Sequence, residues 1–169
     1  MPSDLGRRFA WLPDRGAQYT YRDVLEVSAR FANVLVDLGV RTGDRIAVQA
    51  EKSMESLMLY LAALRAGAVY LPLNTAYTPA EIDYFLSDAE PRVFVCDPAR
   101  ADGLAPIAAK SGARLETLGS WQSPEVSAGS LADKGRAAPT AFDDVPRTAG
   151  DLAAILYTSG TTGRSKGAM

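Results

Sequence analysis

The sequence contains no histidine and a single cysteine, Cys96. Without imidazole, Ser–His–Asp and Cys–His catalysis are impossible within this chain. One thiol forms no internal disulfide, and zinc cages built on Cys or His are excluded. Cys96 lies in the apolar run VFVCDP and reads as a small buried hydrophobe. Long hydrophobic runs are also missing. The most apolar region, residues 57–73, is broken by Arg65, Gly67 and Pro72 and is too short to span a bilayer. The N-terminal MPSDLGRRFAWLP has no apolar stretch after its arginines and is not a signal peptide, so a cytoplasmic location is expected. No basic surplus exists either: 18 Lys and Arg against 20 Asp and Glu leave a net charge of −2. That balance advertises neither nucleic acid nor a membrane surface as a partner.

What remains is an ordinary globular composition in 169 residues, enough for one domain with a real core. Elements alternate along it. TYRDVLEVSARFANVLVDLG reads as a helix: Thr20 caps its first turn, Asp23 follows three residues on, and Gly39 supplies the left-handed stop. RIAVQ is a strand. A second helix starts at Ser53 and ends at Gly67. VYLPL is β-rich, with Pro72 marking a strand end or edge. Thr78, Pro79 and Glu81 form a capping box with proline at the first helical position, opening a helix that reaches about Ser87. RVFVC is a continuous apolar strand of the kind buried on both faces. Asp97-Pro98 opens a helix toward Lys110, and RLETL is a weaker strand. Residues 119–150 read as a surface excursion with about one helical turn, and LAAILYT resumes the buried-strand pattern. The alternation predicts an α/β fold, an open and mostly parallel sheet with helices on both faces. Such sheets place ligands beyond the carboxyl ends of their strands.

Several residues carry the bland reading. Tyr70, Tyr77 and Tyr84 read as packing residues, and Asn74 and Thr75 as shaping a turn rather than lining a cleft. Asp143 and Asp144 read as solvated loop charges, not a metal site, and Trp11 and Trp121 have no evident partner.

The last stretch, ILYTSGTTGRSKGAM, concentrates chemistry. Gly160 and Gly163 permit close approach of a ligand to the backbone. Amides in such turns form a concave donor cluster that suits anionic oxygens. Thr158, Ser159, Thr161, Thr162 and Ser165 add hydroxyls, and Lys166 adds a compact positive charge. The string fits neither the Walker A pattern nor G-x-G-x-x-G. On composition, a phosphate site and a plain solvated hairpin both stay open.

The string YTSGTTGRSKG resembles the signature loop of the adenylate-forming (AMP-binding) superfamily of acyl-CoA synthetases, adenylation domains and luciferases. The longer run AVQAEKSMESLMLYLAALRAGAVYLPLNTAYTPAEIDYFLSDAEPRVFVCDP is similar to bacterial malonyl-CoA synthetases, as is DLAAILYTSGTTGRSKGAM. The resemblance implies that Thr158, Ser159, Gly160, Thr161, Thr162, Gly163 and Lys166 hold the β- and γ-phosphates of ATP. Arg164 gains no role from it. It further implies that residues 1–169 are the N-terminal portion of a larger enzyme's large domain, stopping just after this loop, with no C-terminal domain.

The implied reaction of the whole enzyme belongs to fatty-acid and acyl-CoA metabolism. A small carboxylate, malonate first among candidates, is activated by ATP and passed to coenzyme A. Another short-chain acyl-CoA synthetase, an adenylation domain or a non-catalytic nucleotide-binding piece are the alternatives. The implied Mg2+ ligand and catalytic lysine fall outside the chain, so no catalytic or metal residue is expected in it. The chain alone is therefore expected to be inactive and marginally stable. A return strand is expected to begin at Gly167-Ala168-Met169 and to pair back on residues 155–158; with the sequence stopping there, the edge is expected open and the loop without its distal anchor.

Overall fold

The computed structural model describes residues 2–119, 129–158 and 166–168, the last group without the Lys166 side chain. An antiparallel hairpin comes first, β1 (Arg8–Leu12) and β2 (Ala17–Thr20), which the sequence reading left unassigned. Helix α1 (Tyr21–Asp37) follows directly. The expected cap is there: the Thr20 hydroxyl accepts from the Asp23 amide, and the Asp23 carboxylate accepts from the Thr20 amide at 2.6 Å.

Strand β3 (Arg45–Gln49), helix α2 (Met54–Arg65), strand β4 (Val69–Pro72), helix α3 (Pro79–Ala89), strand β5 (Val93–Cys96), helix α4 (Ala101–Ser111) and strand β6 (Arg114–Thr117) then alternate. The four strands form one parallel sheet in the order β4-β3-β5-β6. Strand order reverses between β3 and β5, which makes their carboxyl ends the switch point of a doubly wound sheet.

Side-chain alternation along the strands divides the core. Ile46, Val48, Val93 and Val95 face α1 and α2, with Phe31, Leu35, Met58 and Leu59 packed on them. Ala47, Leu71, Phe94 and Cys96 face the opposite side, under Ile82, Phe85 and Leu86 of α3 and Leu104 of α4. Strands buried on both faces explain why RIAVQ and RVFVC read as near-continuous apolar runs. Cys96 is wholly buried, and burial pushes its thiol up to about 11, so it packs and does not react. Among the described residues, no helix is long and apolar enough to cross a membrane.

The excursion is more structured than its composition suggests. Helix α5 (Ser130–Ala137) buries Leu131 and Ala132 completely against the α1 face of the core. Arg30 on α1 donates to the carbonyls of Gly135, Arg136 and Ala138, satisfying the end of α5. Asn33 holds the next turn through the carbonyls of Pro139 and Ala141. Arg65 then anchors residues 142–145, with its Nε 2.6 Å from Asp144 and its Nη2 3.2 Å from the Phe142 carbonyl. Asp144 is therefore an ion-pair partner, whereas the sequence reading made it a solvated charge. Gly67, at φ +71°, allows this strap to pass close, since a Cβ there would sit 3.0 Å from Val145 Cγ1.

One cap carries a pH prediction. The Glu81 carboxylate accepts from the Thr78 amide and hydroxyl, both at 2.8 Å, and these bonds hold its pKa below the ordinary value. A depressed folded-state pKa means stabilisation present above the unfolded pKa and lost as pH falls through the folded one. An NMR titration should place Glu81 below the ordinary glutamate range, with the Thr78 amide resonance moving in the same acid step. A Glu81 that titrates like a free side chain would show that the cap does not form in solution.

Candidate functional site

The candidate phosphate residues lie at and between two short strands. Strand β7 (Leu156–Thr158) pairs antiparallel with β8 (Lys166–Ala168), in the register Leu156↔Ala168, Tyr157↔Gly167 and Thr158↔Lys166. Thr158, exposed to solvent, and Lys166 therefore face one another across the mouth of the hairpin. Ser159, Gly160, Thr161, Thr162 and Gly163 lie outside the described residues.

Two expectations about this region need correction. The return strand begins one residue early, at Lys166, and is paired, so the distal side of the hairpin is anchored. And LAAILYT is not a buried core strand. Only its middle touches the main sheet: Tyr70 donates to the Ala153 carbonyl and accepts from the Ile155 amide, each at 3.0 Å, around a parallel bridge to Ala154. Beyond that bridge the chain leaves the sheet edge, Leu156 is 54% exposed and Thr158 is exposed. A run of apolar letters was read as burial on two faces, but an edge segment has a neighbour on one side only.

The stem of the hairpin is held by α3. The Tyr157 ring packs on Phe85 at 4.7 Å between centroids, and Phe85 also packs on Tyr77 and Tyr84. The Tyr157 hydroxyl donates to the Asp88 carboxylate. Burial, and then this bond, push the Tyr157 hydroxyl well above its ordinary pKa, so it remains a donor across the neutral range. On β8, a Cβ at Gly167 would meet Ile155 Cγ2 at 2.9 Å and the Tyr157 ring at 3.7 Å. The ring distance is an ordinary contact; it is Ile155 that leaves no room for a Cβ and makes glycine fit here.

The switch point is occupied by structural bonds. Gln49, fully buried at the end of β3, donates to the Asn74 carbonyl at 2.8 Å, and its Oε1 has no partner among the described residues. Arg100 donates to the Thr75 carbonyl at 2.7 Å and the Tyr77 carbonyl at 3.1 Å. Asn74 Oδ1 accepts from the Ala76 amide, so Asn74 shapes the turn as expected. Tyr70, Tyr77 and Tyr84 are packing residues: Tyr70 meets Tyr60 at 5.1 Å, and burial pushes its hydroxyl up to about 12. Trp11 is 49% exposed on β1.

Sequence reasoning missed Gln49, Arg100, Asp88 and Tyr157 as determinants of this region. The one available signal was Gln49, a polar residue closing an otherwise apolar strand.

Surface clefts among the described residues lie elsewhere. One of about 550 Å³ is bordered by Asp37, Arg114 and Lys134, one of about 370 Å³ by Asp83, Pro106 and Lys110, and one of about 340 Å³ by Arg15, Lys52 and Ser53. None of these is lined by β7 or β8. Among the described residues no three His, Cys, Asp or Glu side chains cluster to hold a metal ion, so a magnesium cage is not built from them.

A doubly wound parallel sheet, carrying a Thr/Ser/Gly/Lys string on an anchored hairpin, defines the N-terminal architecture of adenylate-forming enzymes. The chain belongs to the AMP-binding enzyme family, whose profile matches residues 6–169. It is 33% identical over 155 residues to the long-chain-fatty-acid–CoA ligase FadD13 of Mycobacterium tuberculosis, covering 92% of this chain and 30% of that protein. The apo crystal structure of MatB from Rhodopseudomonas palustris matches the whole chain at 53% identity with a TM-score of 0.91, across 32% of that chain. Its ATP-bound form matches at 54% identity and the same TM-score, again over 100% of this chain and 32% of that one. The chain thus spans about a third of the length of these relatives.

Proposed function

We propose that this chain is the N-terminal part of the large domain of an ATP-dependent acid–thiol ligase, with malonate as the acid. In the complete ligase a carboxylate oxygen attacks the α-phosphorus of ATP, releasing pyrophosphate and leaving an acyl-adenylate. The thiol of coenzyme A then attacks the acyl carbon and displaces AMP. Thr158, Ser159, Gly160, Thr161, Thr162, Gly163 and Lys166 hold the β- and γ-phosphates during the first step.

One observation carries the reading. The string TSGTTGRSKG begins on β7 and re-enters the fold on β8, so its first hydroxyl and its lysine start from a paired, fixed stem. Neutral hydroxyls and amides with one compact cation suit a polyphosphate better than a single carboxylate. An ATP-bound relative of the same fold at 54% identity supports ATP as the nucleotide. The sequence resemblance to malonyl-CoA synthetases supports malonate.

This part of the machinery binds and orients; it has no histidine, and no metal cage is built from its described residues. When bound, Mg2+ supplies charge neutralisation on the phosphates. The isolated chain is therefore catalytically inactive. The test sets the complete ligase beside the 169-residue chain and measures pyrophosphate release and acyl-CoA formation with malonate, acetate and longer acids. The complete ligase should turn over malonate best, and the isolated chain should make no acyl-CoA. Preference for another acid would replace the substrate, and malonyl-CoA made by the isolated chain would overturn the division of labour.

A further inference from the structure

Tyr157 is the residue immediately before the first phosphate-loop candidate. It lies across Gly167 of β8, its registered partner, and against Phe85 of α3. Its hydroxyl reaches one turn further along α3, to Asp88. Asp88 lies 69 positions earlier in the chain, within the subsequence DAEP. Nothing else among the described hydrogen bonds ties a β7 or β8 side chain to the body of the domain. The backbone bridge to Tyr70 stops at Ile155, ahead of both strands. Without the Tyr157–Asp88 bond, β7 would meet α3 through the packing of the Tyr157 ring on Phe85 with no polar tie to set its place.

We propose that Asp88 and Tyr157 are positioning residues for ATP: by fastening β7 and β8 to α3 they fix where Thr158 and Lys166 stand, and so set the affinity for the nucleotide. The proposal rests on the reading of this hairpin as the carrier of the ATP phosphate loop. Neither residue touches the nucleotide. A preset stem spares the ordering cost that binding would otherwise meet, and a misplacement of the donors weakens phosphate contacts without removing any of them.

The test uses the complete ligase with Asp88→Ala, Asp88→Asn, Tyr157→Phe and the Asp88→Ala/Tyr157→Phe double variant. Asp88→Ala and Tyr157→Phe should each raise the KM for ATP by about 2- to 10-fold, the worth of one hydrogen bond. The KM for the acid should stay unchanged, and the melting temperature should move little because Asp88 is exposed. Asp88→Asn keeps an acceptor and should recover most of the affinity. The double variant should be no worse than either single one, because both remove the same bond. Amide hydrogen exchange on the complete ligase supplies a readout independent of turnover: Tyr157→Phe should speed exchange in β7 and β8 but not in β3 or β5.

A wild-type ligase without ATP-dependent turnover would sink the functional reading itself. An active wild type with unchanged KM for ATP in both single variants would overturn the positioning role alone. So would additive effects, or a parallel rise in the KM for the acid. Faster exchange in β7 and β8 with no change in KM would also overturn it, showing an anchor with no bearing on the nucleotide.

Discussion

Arg65→Met lowers the unfolding free energy of the chain by about 3 kcal/mol, a large share of a small domain's stability. The guanidinium is mostly shielded, with its side chain 17% exposed. Its Nη1 donates to the Leu25 carbonyl and the Ser28 hydroxyl, both at 2.8 Å, its Nη2 to Phe142, and its Nε to Asp144. The plane also lies 5.9 Å from the centre of the Phe142 ring. One side chain thus joins α1, α2 and the strap that leads from α5 toward the hairpin. Methionine keeps the stem's packing but takes the donor from the Phe142 carbonyl and leaves the Leu25 carbonyl to the Ser28 hydroxyl. Lysine keeps the charge but cannot span this fork, so Arg65→Lys should restore less than half of the loss. Asp144→Asn should cost little, about 0.5 kcal/mol, because that carboxylate is 63% exposed and its attraction is screened. Urea unfolding followed by circular dichroism gives all three values. Equal losses for Arg65→Met and Asp144→Asn would show that the ion pair, not the carbonyl fork, holds the strap.

Arg65 also shows where sequence reading stops. In LYLAALRAG it reads as the polar terminus of a core helix, and nothing in its neighbours announces partners 77 and 79 residues away. Local signals served well where local physics decides. The Thr20–Asp23 and Thr78–Glu81 boxes form as expected, because a cap is satisfied within one turn of its own helix. RIAVQ became β3, and VFVC became β5, because strands buried on both faces need unbroken apolar letters.

The misses have physical causes. SLADKGRA carries a glycine and three charges in eight residues, a poor helix on propensity. It is helical because Leu131 and Ala132 fill the core and Arg30 satisfies its end, and both contacts are tertiary. The β1–β2 hairpin is a different miss: Pro13, Asp14 and Gly16 do mark its turn, but the runs RFAWL and AQYT on either side are short and lack clean alternation. For the candidate site, the string itself was legible, since it is one contiguous run. The pairing of its stem was legible too, one residue off at the start; its tie to α3 was not, because Asp88 and Tyr157 meet only after α3 is packed on the sheet.

Lys166→Ala in the complete ligase lowers kcat/KM for ATP by about 10²- to 10³-fold, the range for removing one charge-stabilising donor from a preorganised site. The register sets Lys166 directly across from Thr158, so it is the loop candidate whose place is fixed by a strand on the far side of the string. The other candidates, Thr158, Ser159, Gly160, Thr161, Thr162 and Gly163, offer neutral donors only. In the proposed site they shape the cup, and the ammonium supplies its charge against the tail of the triphosphate. Lys166→Arg should recover part of the rate, since the charge returns on a bulkier, planar head. Arg164→Ala should stay within about 2-fold, because the resemblance gives Arg164 no phosphate contact. Initial rates of pyrophosphate release over a range of ATP concentrations separate these cases, and the KM for malonate should be unmoved in all of them. A Lys166→Ala enzyme within a few-fold of wild type would mean that the amides and hydroxyls hold the phosphates unaided. The paired stem, rather than the lysine it carries, would then be what this segment contributes to catalysis.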